Sequence, residues 1–239
     1  IRKLAARNHS ATHLLQASLI SNLGDHIQQA GSMVSAERLR FDFSHGQALA
    51  LDQIQAIEKK VNHDIQRDLE VKTENLAKDE AIKKGAKAFF GDKYGDTVRV
   101  VTMEDASIEL CGGTHVQRTS EIGLFKIISE ASLATGVRRI EALTGQAAFE
   151  YFQGLESVVK ELCEITSTGP DQLSNRVRKS LVELKTAEKE IKDLKLRIDQ
   201  LNNSSIEPSK YETSIGAIFH AEVQGESKAL RGISDELIK

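Results

Sequence analysis

The sequence predicts an α+β fold: a mostly antiparallel sheet packed with helices, followed by a long antiparallel helical hairpin. Three observations carry this. Alternating apolar stretches and helix-periodic stretches are interleaved irregularly over residues 1–150. Several strand-like stretches follow one another in sequence, which favours antiparallel pairing. Beyond Gly169-Pro170-Asp171, apolar residues recur in steps of three and four as far as Leu201, the seam of one long helix.

Taken in order, Asn8 or Ser10 is suited to cap a helix running to about Asn22, with Gly24 as its stop. In residues 37–43, Leu39, Phe41 and Phe43 alternate with polar residues and mark a strand. Ile54, Ile57, Val61 and Ile65 make residues 51–67 an amphipathic helix. A short helix is expected over 77–87. Strands follow around Val98-Arg99-Val100-Val101, around Ile108-Glu109-Leu110, and over 122–130 and 136–144.

The character then changes. The chain has two prolines, Pro170 and Pro208. Proline suits the first position of a helix and Asp171 its first turn. Val177, Leu184, Ala187, Ile191, Leu194, Ile198 and Leu201 form the seam of a helix over 171–201. Leu155, Val158, Val159, Leu162 and Ile165 supply an opposing helix over 151–166. A short strand over 214–220 and a helix from about Ser227 open a further domain. The expected domains are thus 1–150, a helical linker over 151–203, and the beginning of a C-terminal domain over 204–239.

Composition narrows the function classes. Among 239 residues, 40% are hydrophobic and 28% charged, with a net charge of −3. That balance weighs against a tight, non-specific nucleic-acid binder but leaves room for a local basic groove. No apolar run approaches the ~18 residues of a membrane span, so no membrane partner is expected. The first residues carry neither a secretory core nor an initiator Met, which reads as a piece of a longer protein. Two distant cysteines, Cys111 and Cys163, make no disulfide framework, and a reducing, cytoplasmic setting follows. Cys163, apolar-flanked on a helix, reads as a small buried residue. His45, His63 and His220 read as ordinary solvated or capping side chains; His26, near Gln29, stays open.

Chemistry concentrates in two short motifs. His9 and His13 lie four apart, so on a helix both imidazoles share one face. Cys111 and His115 repeat that spacing within Cys-Gly-Gly-Thr-His. Either pair alone is ordinary. Together they offer one thiolate and three imidazoles, a donor set that suits tetrahedral Zn²⁺. Gly112 and Gly113 add a stretch of bare main chain against which a substrate can pass; a tight turn needs only one of them. Four protein ligands make a closed structural site, whereas a catalytic site keeps a position for water, and the sequence leaves both open. There is no G-x-S-x-G, no G-x-x-x-x-G-K-[ST] and no H-E-x-x-H. Arg138 and Arg139 are a candidate phosphate clamp, although in a strand they point to opposite faces.

Five blocks taken together resemble the editing domain of alanyl-tRNA synthetase: Asn-His-Ser-Ala-Thr-His-Leu-Leu from Asn8, Leu-Arg-Phe-Asp-Phe-Ser-His from Leu39, Gly-Asp-Lys-Tyr-Gly-Asp from Gly91, Glu-Leu-Cys-Gly-Gly-Thr-His-Val from Glu109, and Gly-Val-Arg-Arg-Ile-Glu-Ala from Gly136. The resemblance runs in order across about residues 5–150. Residues 151–203 resemble the helical linker of that family. Residues 204–239, with Ala229-Leu230-Arg231 and Asp235-Glu236-Leu237, resemble the start of its C-terminal domain.

The resemblance implies Zn²⁺ held by His9, His13, Cys111 and His115. It implies hydrolysis of the ester of tRNA(Ala) wrongly charged with serine or glycine. The family pattern His-x-x-Gln-x-Gly-Ser falls on His26, Gln29, Gly31 and Ser32. Gln29 and Thr12 are therefore carried as candidate catalytic residues, and Gly112, Gly113 and Arg138 as candidate substrate-binding residues. The family more often has threonine where Ser10 stands. The expected partners are the acceptor end of tRNA(Ala) and, through the C-terminal region of a full-length ATP-dependent ligase, a second copy of the protein. Two alternatives stay open: a free-standing trans-editing deacylase, and a non-catalytic, zinc-stabilised module that binds tRNA or dimerises. Threonyl-tRNA synthetase editing domains share both four-residue spacings, but the Cys-Gly-Gly-Thr-His and Gly-Val-Arg-Arg-Ile-Glu-Ala blocks favour alanyl.

Overall fold

A computed structural model describes residues 1–86, 96–203, 209–220 and 222. The block from Gly91 to Gly95 and the helix expected from Ser227 lie outside the described residues. The chain divides into two compact units, Ile1–Ser157 and Val158–Lys239.

In the first unit, helix α1 (Arg2–Leu23) lies across the core, with Ala11, Leu14, Leu15 and Leu19 buried. It begins well before the expected caps. Leu4, Ala5, Ala6 and Arg7 are good helix formers, so helix propagates back to the start of the chain. Asn8 and Ser10 are buried mid-helix and spend their polar groups on distant segments. Asn8 Nδ2 donates to Ser35 O at 2.9 Å and Asn8 Oδ1 accepts from Thr144 Oγ1 at 2.7 Å. Gly24 does end the helix, with φ of 112°.

Four strands, β1 (Gln29–Val34), β2 (Leu39–Ser44), β6 (Phe125–Ala134) and β7 (Val137–Thr144), form an antiparallel sheet in the order β1-β2-β7-β6. The alternation in β2 holds residue by residue: Leu39, Phe41 and Phe43 are fully buried and their neighbours are not. Helix α2 (Leu51–Gln66) adds Ile57, Val61 and Ile65 to the same core.

A second antiparallel sheet, β3-β4-β5, comprises β3 (Val71–Ala77), β4 (Thr97–Met103) and β5 (Ser107–Leu110). Strand β4 separates two cores. Val98 and Val100 pack with Ala81 of helix α3 (Lys78–Lys83), while Val101 and Met103 join the main core. Residues on alternate faces of a strand explain why Val-Arg-Val-Val is almost continuously apolar. A 3-10 turn at Thr119–Ile122 precedes β6.

Strands β1 and β3 were not expected from the sequence. Both lie at sheet edges, where only one side is paired and an apolar alternation is not required.

Helix α4 (Gly145–Thr166) starts six residues before its expected beginning, and α5 (Pro170–Asn203) follows after a short turn with Ser167 at φ of 50°. At 34 residues, α5 is about 51 Å long. Its seam residues Leu184, Ile191, Leu194 and Ile198 are each more than half exposed, and Leu155, Val158, Val159 and Leu162 of α4 are also exposed. Cys163 is half-buried. The strand expected over 214–220 is β9 (Gly216–His220), antiparallel to β8 (Ser209–Thr213). No helix among the described residues is long and apolar enough to cross a membrane.

Candidate metal centre

Two neighbouring strands aim the cysteine at the helix. In β4 and β5, Val101 faces Glu109, and the next step along the ladder brings Cys111 N–H to Arg99 O at 3.0 Å. Glu109 and Cys111 are two apart in an extended chain and so share a face. That face meets α1, where His9 and His13 sit one turn apart with ring centroids 5.3 Å from each other. The chain then turns through Gly112 and Gly113 and returns His115, its ring 4.4 Å from that of His9 and 4.9 Å from that of His13.

The four donor atoms all lie within 4.8 Å of one another. Cys111 Sγ is 3.4 Å from His9 Nε2 and 3.3 Å from His115 Nε2. Donors bonded tetrahedrally to one zinc ion stand ~3.4–3.6 Å apart, given the usual Zn–N and Zn–S lengths. The two sulfur–nitrogen separations therefore already come close to the spacing an ion would impose, and the widest donor pair has at most 4.8 Å to close from. His13 Nε2 supplies a second test: it is buried and has no hydrogen-bond partner among the described residues. An orphaned nitrogen of that kind needs a ligand. These four residues can hold a metal ion.

In His13 and His115 the nitrogen facing away is held. His13 Nδ1 is bonded to Glu109 Oε2, and Ser107 Oγ donates to Glu109 Oε1 at 3.0 Å. His115 Nδ1 meets Ser10 Oγ at 3.2 Å, which also accepts from Val116 N–H at 3.2 Å. Holding Nδ1 fixes the tautomer that leaves Nε2 free for a metal. Glu109→Gln keeps an acceptor but removes its charge, and it is expected to weaken metal binding roughly 10-fold or more, read by competition with a chromophoric chelator.

Charge follows from the same contacts. Burial pushes the Cys111 thiol up, but the surrounding imidazoles of His115, His13 and His9 outweigh it and bring its pKa down to about 3. Burial works against the charged form of His13, yet the Glu109 carboxylate and the Cys111 thiolate beside it raise its pKa to about 10. Burial lowers that of His115. A metal entering at neutral pH thus finds a thiolate already formed and must displace the proton on His13. Because that group is protonated below its raised pKa, apparent affinity is expected to rise about tenfold per pH unit and to level off as His13 deprotonates. Calorimetric zinc titrations at pH 8 in two buffers of different ionisation enthalpy are expected to show about one proton released per ion.

The two glycines differ. A Cβ on Gly113 would stand 1.9 Å from His9 Cε1, whereas one on Gly112 would meet nothing within 4 Å. The ring of His9 packs directly on the main chain of Gly113, and only that position requires glycine.

The remaining candidates lie outside this hydrogen-bonded cluster. Thr12 is buried, and its hydroxyl donates to Asn8 O at 2.9 Å within the helix. Gln29 opens β1 and its Nε2 donates to Ser32 Oγ at 3.1 Å. Arg138 shares a row with Gln29 across the sheet, since both are in register with Phe43. Its Nε and Nη2 bind both carboxylate oxygens of Glu130, so any substrate contact must share that ion pair. Arg139 is engaged in the same way by Asp42. Glu109, Ser10 and Arg99 were not expected at the site. Two-residue spacing from Cys111 is a sequence signal for Glu109; nothing local marks Arg99.

Comparison with known proteins places these motifs. The family described as "Threonyl and Alanyl tRNA synthetase second additional domain" matches residues 98–141. An alanine–tRNA ligase of Thermoanaerobacter sp. (strain X514) is 45% identical over 99% of this chain and 27% of its own length. That of Clostridioides difficile (strain 630) shows the same figures, 45%, 99% and 27%. That of Nitrosomonas eutropha is 47% identical over 84% of this chain and 23% of its own length. The chain spans about a quarter of the length of the curated relatives it matches. Along nearly all its own length the chain is thus similar to one segment of the alanine–tRNA ligases.

Proposed function

We propose that residues 1–150 form the editing domain of an alanine–tRNA ligase and hydrolyse the ester of tRNA(Ala) carrying serine or glycine. The observation that supports it is the convergence of His9, His13, Cys111 and His115 in a chain related to those ligases. The donor set of three imidazoles and one thiolate suits zinc. On this reading residues 151–203 link the domain to the beginning of a C-terminal domain over 204–239. The parent protein would be a cytoplasmic, ATP-dependent ligase that dimerises through its C-terminal region.

The chemistry demanded is modest. An aminoacyl ester is already activated, so hydrolysis needs a placed water and a partner for the developing oxyanion more than a nucleophilic side chain. Zinc held by all four residues would fix the loop past which the tRNA terminus runs, and would supply Lewis acidity to a substrate atom only by taking a fifth ligand. Glu109 and Ser10 hold the imidazoles of His13 and His115 in one tautomer and one orientation. Gly113 lets the loop lie flat on His9, and the open space beside Gly112 leaves main chain accessible to the tRNA terminus.

Specificity follows from polarity. A synthetic pocket that accepts alanine rejects serine and glycine poorly. A second site that hydrogen-bonds the serine hydroxyl rejects alanine well, because alanine leaves those polar groups unpaired. Gln29 is the candidate for that contact, since a carboxamide offers both a donor and an acceptor. Thr12, with its hydroxyl proton directed at Asn8 O, retains acceptor capacity on its oxygen.

The test is hydrolysis of seryl-tRNA(Ala) and alanyl-tRNA(Ala) by the zinc-loaded chain. The reading predicts release of serine with the alanyl ester spared. A zinc-loaded chain that releases neither would leave the metal a structural role and the reading refuted.

A further inference from the structure

Strand β4 grips the ligand loop through a residue that binds no metal. Arg99 Nη1 donates to Cys111 O at 2.9 Å and also to Gly113 O. In return Arg99 O accepts from Cys111 N–H at 3.0 Å. The paired ladder between β4 and β5 ends at Val100 and Leu110, so these bonds hold the loop just beyond the sheet. We propose that Arg99 is a positioning residue for the metal centre, fixing the turn from Cys111 to Gly113 so that the thiolate and the bare face of Gly113 stay in register with His9. The inference rests on reading the four-residue cluster as a metal centre.

The loop needs such a restraint. Consecutive glycines have the widest backbone freedom of any residue pair, so this segment loses the most entropy on being ordered. Its tolerance is also small. The His9 ring stands against the main chain of Gly113 where not even a methyl group fits. A shift of a few tenths of an ångström would therefore displace either the ring or the turn.

Two carbonyls drawn to one cation define the turn. Because each peptide is planar, the N–H groups of Gly112 and Thr114 must then point away from Arg99. The intervening Gly113 N–H donates to Cys111 Sγ at 3.4 Å. One guanidinium thus sets the orientation of the peptides that flank the thiolate. Bonds from a charged donor are about twice as strong as neutral ones, which suits a single anchor.

Cobalt(II) is the probe, because its thiolate charge-transfer and d–d bands report ligand geometry independently of activity. The wild-type chain, Arg99→Met and Arg99→Lys are titrated with Co²⁺ after chelator treatment, and unfolding of the chelated proteins is followed in parallel. Arg99→Met is expected to bind Co²⁺ at least about tenfold more weakly, with altered d–d intensity at saturation. Its chelated unfolding midpoint is expected to match the wild type. Arg99→Lys keeps a cation but not the planar fork and is expected to fall between the two. Equal affinities and superimposable spectra for the wild type and Arg99→Met overturn the role of Arg99 and leave the metal centre standing. Should Arg99→Met not fold, wild-type behaviour of Arg99→Lys overturns it instead. A wild-type chain with no cobalt–thiolate band overturns the metal reading itself.

Discussion

Replacing Cys111 with alanine is expected to remove the metal and, with it, serine release from seryl-tRNA(Ala). The thiolate is the only anionic donor among the four, and its pKa of about 3 means that it is charged throughout the working range. Without it the ion would face three neutral imidazoles, a thiol-free shell with weaker attraction for a divalent cation. Zinc content is expected to fall from about one ion per chain to a trace, and deacylation by at least about 100-fold. The protein should still fold, because Cys111 lies beside the main core without belonging to its fully buried set. Metal analysis and a single-turnover deacylation assay on the same preparation check both halves. Full deacylation by the metal-free variant would remove the proposed role of the metal.

The second large effect belongs to a residue with no side chain. Gly113→Ala places a methyl group 1.9 Å from His9 Cε1, a separation no packed structure tolerates. The imidazole is the end of a rotatable side chain, so the ring can swing aside at little cost to the fold. What it cannot do is swing aside and remain a ligand. Gly113→Ala is therefore expected to lose metal affinity by at least about 100-fold while its chelated unfolding midpoint stays near the wild-type value. Gly112→Ala is the internal control: its Cβ would enter open space, and metal affinity is expected to be unchanged. Equal metal binding by the two variants would mean that His9 does not ligate from its position against the loop.

These contrasts mark where the sequence is readable. Two four-residue spacings, on His9 with His13 and on Cys111 with His115, were enough to anticipate a four-donor cluster between segments about a hundred residues apart. Spacing constrains which side chains share a face, and that is a local property. The same holds for β2, whose Leu39, Phe41 and Phe43 alternate because one face is wholly buried. Strands β1 and β3 carry no such signal, since edge strands gain their order from a single neighbour. The start of α1 was misplaced for a related reason. Asn8 and Ser10 look like caps, but in this chain their polar groups bond Ser35, Thr144 and His115. A short polar residue serves either purpose, and only the tertiary structure decides between them.

The supporting residues of the site were the least legible. Glu109 acts through His13, and Arg99 acts through two backbone carbonyls. Neither contact is encoded by proximity in sequence. Arg138 illustrates the converse: guanidinium chemistry marks it for an anionic ligand, whereas the fold sets Glu130 against it. An internal carboxylate satisfies the same geometry that a phosphate would.

X-ray absorption at the zinc edge of the purified chain tests the central claim most directly. The account predicts a four-coordinate shell of about three nitrogens at ~2.0–2.1 Å and one sulfur at ~2.3 Å. A shell without sulfur, or a chain that retains no zinc after purification in metal-replete buffer, would contradict it.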